Sequence, residues 1–487
     1  MNRPVLAALP VIGLLALTAC GSGTESGGRA PDYNVVLISV DALRADHTGV
    51  YGYDRPTTPF LDTLAADSVV FERAYAPSSF TLQSVAAIMT GRLPTSGGSV
   101  SLEAQPHENA ETLARLFRTA GLHTGFFSNQ YLLASRGFTR GFEGIQISDS
   151  APGEPEQTAQ AVTEEALQFV DDYSGERFMV YAHYVQPHQP YAPPAETAAA
   201  FGVDASDVSV VGLIGEIDAG ATISPDDPRV MQLKARYDAE IAAVDAAIGS
   251  LVDGLEDRGL ADNTVIIVTS SQGQEFLEHG YLDHAWTLFE EQLRVPLIVH
   301  APGLIEPQRV SNPVSTIDVY PTLVGLFGLD LDMQAWQPDG SSFLNDAHEI
   351  RVLDEPRIAE LVIRERCVLR ALVLDDWKYI AEYIPCPVEK RGEIQAGYID
   401  LVRAIAQGDV EAPSIWGDIA QESLFNLKND PGETRNLLQQ QPEQLAYLRE
   451  RLGDYERYSE EYALQAIEAA AAPEAIQRLC RGGYFGC

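Results

Sequence analysis

Carboxylate, imidazole and hydroxyl side chains gather at three places in this sequence, each directly after a short apolar run. Val35-Val36-Leu37-Ile38-Ser39-Val40 ends at Asp41. Phe178 to Ala182 ends at His183 and leads into the proline-rich Gln186-Pro187-His188-Gln189-Pro190. Thr264 to Thr269 ends at Ser270 and is followed by Ser271, Gln272, Gln274, Glu275, Glu278, His279, Asp283 and His284. A carboxylate can hold a hard cation or exchange a proton, and imidazoles can bind metal, relay protons or hold the oxygens of an anion. Each group also has a plainer reading: Asp41 as a helix cap or turn former, His183 as a packed histidine ending a buried strand, Glu278-His279 as a solvated charge pair. His188 sits in a loop of the kind whose side chains face a cleft, which favours it over His183 for function.

These groups meet only if the runs before them lie side by side. The runs have the length and composition of strands buried on both faces of a parallel sheet, and Leu297-Ile298-Val299 is another. Helical patterns lie between them, such as Glu111 to Ala120 with apolar residues three and four apart and Gly121 at its end. Strands alternating with helices indicate an α/β fold, a large, mostly parallel sheet flanked by helices, in which ligands bind beyond the carboxyl ends of the strands. Asp41, His183 to His188, and Ser270 to His284 then converge on one cleft. From about residue 350 the alternation gives way to two β-rich runs, Cys367 to Leu374 and Trp377 to Tyr383, joined by Asp375-Asp376 as a hairpin, then an acidic stretch and a helix from Pro442 to Leu464. That region reads as a smaller α+β subdomain.

With 487 residues, 45% hydrophobic and 21% charged, the chain can build one large core and a second smaller one. Its 33 basic against 70 acidic residues give a formal charge of −37, which disfavours nucleic acid and anionic lipid headgroups as partners. After the first twenty residues no apolar run approaches the roughly 18 residues needed to cross a bilayer.

Those first twenty, MNRPVLAALPVIGLLALTAC, carry one early positive charge at Arg3, an apolar run and small residues before Cys20, the layout of a secretory signal. Leu17-Thr18-Ala19-Cys20 resembles the lipobox of bacterial lipoproteins, which implies acylation of Cys20 and a cell-envelope address, with Gly21 to Gly28 as a flexible tether. Gly21 stands where an aspartate resembles an inner-membrane retention signal, so in a Gram-negative cell the outer membrane is preferred. Export permits disulfides, and Cys367, Cys386, Cys480 and Cys487 allow three pairings, of which proximity favours Cys367 with Cys386 and Cys480 with Cys487.

Five segments, in order along the chain, together resemble the sulfatase family of the alkaline-phosphatase superfamily. The first is Val40-Asp41-Ala42-Leu43-Arg44-Ala45-Asp46-His47 with Tyr51-Gly52-Tyr53 and Thr58-Pro59; the second runs from Ala76 through Thr81 to Gly91; the third is His183 to Pro194. The fourth is Val268 to His284 with Arg294-Val295-Pro296-Leu297, and the fifth comprises Asp318 to Leu323, Asp339-Gly340, Trp377-Lys378-Tyr379 and Leu424 to Leu437. The resemblance implies a sulfatase-like fold with 33–345 as the α/β domain and 346–465 as the α+β subdomain, between a leader (1–20), a tether (21–32) and a tail (466–487). It implies hydrolysis or transfer of a sulfate or phosphate ester, a divalent metal ion (Ca, Mg, Mn or Zn), and an anionic small-molecule or glycan ester as substrate. Residue by residue, Asp41 matches a metal ligand, Thr81 the nucleophile, and His188 and His284 groups that contact the transferred anion.

The departures are as informative. The formylglycine of true sulfatases forms from Cys or Ser in a Cys/Ser-x-Pro-x-Arg context, and this chain has Thr81, Gln83 and Val85 at the three places, so no formylglycine is expected. Threonine serves as nucleophile in related phosphotransferases, but beside a cation that lowers its hydroxyl pKa. Where the family reads Ser-Asp-His-Gly-Glu, the chain has Ser270-Ser271-Gln272-Gly273-Gln274. Two ligand positions thereby become Ser271 and Gln272, leaving Asp41 and at most the neutral oxygen of Gln272, unless Glu275, Glu278 or His279 reorients. The expectation is therefore an ester hydrolase with weak or lost activity, or a non-catalytic anion-binding or scaffold protein on the same fold, with substrate preference set by the loops of Ala195 to Pro228.

Overall fold

The computed structural model describes residues 32–100, 106–134, 136–148, 158–206, 208–363, 367–386 and 417–462. Cys20, the tether, Cys480 and Cys487 lie outside these residues. An eight-stranded sheet has the order Gln308–Val310, Val69–Phe71, Leu297–His300, Thr264–Ser270, Asn34–Val40, Phe178–Tyr184, His123–Ser128, Gly144–Ile147. All neighbours are parallel except Leu297–His300, which runs against both of its partners.

The apolar runs form the centre of this sheet because both of their faces are covered. Side chains alternate across a strand. Val35, Leu37, Met179, Tyr181, Val265 and Ile267 enter one core, shared with the helices Thr81–Thr90, Leu113–Thr119 and Val319–Phe327. Val36, Ile38, Val180, Ala182, Ile266 and Val268 enter the other, under the helices Ala159–Asp172 and Pro228–Asp257.

The C-terminal unit is a four-stranded antiparallel sheet, Arg357–Ile363, Cys367–Leu374, Trp377–Ile384 and Gln421–Asn426, with the helix Pro442–Tyr462 packed on it. The hairpin forms as its spacing predicts, with Asp375 in the left-handed region at φ 53°, a conformation that aspartate tolerates better than most residues. The hairpin brings Cys367 and Cys386 together in a disulfide. Lys378, fully buried in this sheet, pairs with Glu290 at 3.0 Å and Glu433 at 3.0 Å, and Glu433 also accepts the backbone N–H of Glu290. This knot joins the C-terminal sheet to the loop that follows Thr264–Ser270. Among the described residues no helix is long and apolar enough to cross a membrane.

Candidate active site

Four neighbouring strands end at one point. Asp41 follows Asn34–Val40, Ser271 and Gln272 follow Thr264–Ser270, His183 is the penultimate residue of Phe178–Tyr184, and Gln130 lies two residues beyond His123–Ser128. Short backbone ties fix the strand ends: Asp41 N–H donates to Tyr184 O at 2.8 Å, Ser271 N–H to Val40 O at 3.2 Å, and Leu43 N–H to Ser270 Oγ at 3.0 Å. Gly273 then passes so close to the chain at Glu291 that a Cβ would lie 2.1 Å from its carbonyl oxygen, so only glycine allows this turn. Thr81 enters from the other side as the first residue of the helix Thr81–Thr90, whose positive end faces the same point.

At that point Asp41 is wholly buried and satisfied by neutral donors. Its Oδ1 accepts hydrogen bonds from Gln272 Nε2 at 2.7 Å, Ser271 Oγ at 2.8 Å and Thr81 Oγ1 at 3.0 Å, and its Oδ2 accepts one from Gln130 Nε2 at 3.2 Å. His183 Nε2 lies 3.8 Å from Oδ2. Gln272 Nε2 also donates to Thr81 Oγ1 at 3.1 Å, which leaves the threonine proton for Asp41. Burial alone would raise the Asp41 pKa, but hydrogen bonding to His183 and the charges of His188, His183 and His284 outweigh it and hold the carboxyl well below its ordinary range.

His188 and His284 stand together, rings edge to face with centroids 4.8 Å apart. The Nδ1 of His188 is bonded to the Gln189 carbonyl, and that of His284 lies 2.8 Å from Gln274 Oε1 and 2.9 Å from Asp283 Oδ1. Burial pushes His188 below its ordinary value, against the pull of Asp41 and Asp283. Burial would lower His284 as well, but Asp283 overrides it and raises this imidazole, so His284 is the better proton holder of the pair.

The divalent cation implied by the resemblance does not fit this arrangement. Hard cations take about six to eight oxygens, several of them anionic, whereas among the described residues Asp41 is the one carboxylate in the hydrogen-bonded group with Thr81, Ser271 and Gln272, and three N–H and O–H donors already point at its Oδ1. Gln272 turns its amide nitrogen toward Asp41, and its Oε1 is buried with no hydrogen-bond partner among the described residues. The one group of three His, Cys, Asp or Glu side chains with metal-ligand spacing among the described residues lies further along the loop, at Glu275, His279 and Glu291. There, Glu275 accepts the backbone N–H groups of His279 and Tyr281 and the Gln292 amide, each at 2.9 Å. His279 Nδ1 is 2.6 Å from Glu291, and although burial opposes it, the bond to Glu291 lifts His279 to about 9. His279 is thereby held toward its protonated, cationic form, which disfavours a metal ion at its ring.

Sequence reasoning identified Asp41, Thr81, Gln272, His188 and His284, and the structure places all five around this point. It missed Gln130, Gln274 and Asp283 as partners. Gln130 was detectable by the rule that found Asp41, because it too follows a parallel strand, but His123-Thr124-Gly125-Phe126-Phe127-Ser128 is too polar at its start to read as one. The Ala195 to Pro228 segment folds into two short helices, Ala195–Ala200 and Val210–Asp218, before the long helix that begins at Pro228.

Comparison with known proteins agrees with the order of these elements. A family model described as Sulfatase matches residues 33–329. The Δ4,5-hexuronate-2-O-sulfatase of Bacteroides thetaiotaomicron is 22% identical over 478 residues, covering 87% of each chain. Dog arylsulfatase K is 28% identical over 222 residues, 44% of this chain and 35% of that protein, so the chain spans about a third of that relative's length. Among solved structures, the phosphonate monoester hydrolase of Agrobacterium radiobacter superimposes with a TM-score of 0.64 at 19% identity, covering 89% of this chain and 97% of that one. A protein solved with D-glucosamine-2-N,6-O-disulfate superimposes with a TM-score of 0.67 at 18% identity, covering 91% and 100%.

Proposed function

The chain belongs to the sulfatase family, and from that premise we propose that it is a binding member of the family whose ester-cleaving chemistry is weak or lost. The observation that carries this reading is the Asp41 carboxylate, held by Thr81, Ser271, Gln272 and Gln130 where the family's reaction needs a cation. Hydrolysis without metal would require Asp41 to take the Thr81 proton. A carboxylate held far below its ordinary pKa is a poor base for a hydroxyl, which opposes that route.

The ligand class that the relatives favour is an anionic glycan. The Bacteroides relative is named for a hexuronate sulfate, and one structural neighbour was solved with a disulfated glucosamine. In this chain such an anion is expected at His188 and His284, not at Asp41, whose carboxylate is already occupied by four hydrogen bonds. The two histidines are the outer side of the site, 5% and 3% exposed against 0% for Asp41, Thr81, Ser271 and Gln272, and His284 is the group held toward its cationic form. Anchoring through an acylated Cys20 at the cell envelope belongs to the same proposal. The test is metal content by mass spectrometry together with turnover of aryl sulfate, phosphate monoester and phosphodiester, beside a Thr81→Ala control. Substoichiometric metal and turnover equal to the control are expected; stoichiometric metal with turnover that depends on Thr81 would overturn the proposal.

A further inference from the structure

The chain enters the main sheet at one end, and the site lies at the other. Tyr33 is tied to the body of the protein by its hydroxyl, which donates to Pro302 O at 2.9 Å, and Asn34–Val40 then runs as the fifth of eight strands to Asp41. At roughly 3.3 Å per residue, Asn34 and Asp41 stand about 23 Å apart. More of the protein overhangs the site end. The helix Pro228–Asp257, 30 residues and so about 45 Å long, finishes beside the start of Thr264–Ser270, where Thr264 Oγ1 donates to Leu260 O at 2.7 Å. Its Tyr237 reaches the strand ends, donating to Ala42 O at 2.7 Å, so the turns before Tyr237 project past them.

We infer that the anchored chain holds its Asp41 end off the bilayer, so that the site takes its anionic glycan from the aqueous phase and not from sulfated or phosphorylated headgroups of the membrane that carries it. This rests on the Cys20 acylation and the glycan ligand proposed above. From Cys20 to Tyr33 the polypeptide spans at most roughly 45 Å, whatever its conformation. A folded unit of this size has a radius of gyration of about 22 Å and is about 55 Å across. Turned with its site against the bilayer, it would hold Tyr33 about that far above the surface, beyond the reach of the segment. Drawing a chain toward its full length also costs conformational entropy at every residue. The formal charge of −37 adds repulsion from anionic headgroups.

The test places the full acylated chain in vesicles that carry an energy acceptor on a lipid headgroup. A donor dye is attached at Asn263→Cys, next to the residue paired with Asn34, or at Met231→Cys, in the first turns of the long helix; both positions are exposed, and Cys480→Ser and Cys487→Ser remove competing thiols. Transfer from position 263 about twofold or more above that from position 231 is expected, from a height difference of about 23 Å or more. Equal transfer, or stronger transfer from position 231, overturns the inference and leaves the anchor standing. A chain that stays out of the membrane overturns the anchor and the inference with it. In a second arm, soluble D-glucosamine-2-N,6-O-disulfate, the sugar bound by one structural neighbour, is titrated into the anchored chain in vesicles with and without a sulfated galactolipid. Equal affinity is expected, and competition by the galactolipid overturns the inference. Absence of sugar binding in both vesicles refutes the glycan ligand instead, and the first arm then decides the orientation alone.

Discussion

Replacing Asp41 by asparagine separates a carboxylate that serves hydrogen bonds from one that serves a metal, because the two roles predict opposite signs. An unliganded metal site is relieved when its carboxylate loses its charge. Here the carboxylate organises four neutral donors, and asparagine keeps one acceptor oxygen for Thr81, Ser271 and Gln272 while presenting an N–H2 group to Gln130 Nε2, itself a donor 3.2 Å away. Hydrogen bonds to an ionised group are about twice as strong as neutral ones. Weakening three of them and losing the fourth costs about 3 kcal/mol, and relief from burying a charge offsets about 1 kcal/mol of that. Guanidinium denaturation of wild type and Asp41→Asn, each with EDTA and with Ca2+, Mg2+ or Zn2+, reads both quantities. A net loss of about 2 kcal/mol is expected in the variant, together with a wild-type midpoint that none of the additions moves. A cation present at about a hundred times its Kd would stabilise the folded chain by about 2.7 kcal/mol. Such a shift, or an asparagine variant as stable as wild type, would refute the reasoning.

Other outcomes follow from the same geometry. Burial raises the Glu240 pKa to about 8 while its Oε1 accepts Ala192 N–H at 2.6 Å. The folded chain then holds a proton that the unfolded chain releases near pH 4.3, and stability falls as pH rises from there through about 8. Glu240→Gln is expected to flatten that slope in denaturation curves and to stabilise the protein at pH 8. His279, lifted to about 9, works the other way: its pairing with Glu291 stabilises fully below the unfolded histidine value of about 6.5 and is lost as pH rises through about 9, so His279→Gln should lose stability at pH 6 more than at pH 10. Ser271→Asp with Gln272→His restores two ligand types beside Asp41, and calorimetric titration with Mn2+ or Zn2+ is expected to show binding that wild type lacks. The acylation of Cys20 proposed from the sequence makes a separate prediction: Cys20→Ala is expected to move the protein from the membrane fraction to the soluble fraction.

The strands that carry Asp41, Ser271 and His183 were legible because a doubly buried parallel strand must be apolar throughout and stops where the chain turns polar. The direction of the Gln272 side chain was not, because either end of an amide can face a site and only the surrounding donors decide. The pairing of His279 with Glu291 was hidden for a related reason: Glu278-His279 reads as a surface charge pair until the chain is folded and Glu291 arrives beside it. Lys378 was read only as part of a turn-and-core match, since a lysine in a strand pattern is expected to face water, yet it lies at the centre of the join between the two sheets.

That join sets an order of assembly. Glu433 lies far along the chain from His284, and its carboxylate and carbonyl hold Lys378, the Glu290 N–H and His279, so the loop carrying Gln272, Asp283 and His284 gains this latch only once that later stretch of polypeptide has arrived. A ribosome makes that stretch after the main sheet. Every nascent or truncated molecule therefore passes through a stage in which the main sheet can form while the loop stays unlatched and Lys378 lacks one of its two counterions. The segment around Glu433, remote in sequence from Asp41, thereby takes part in finishing the site.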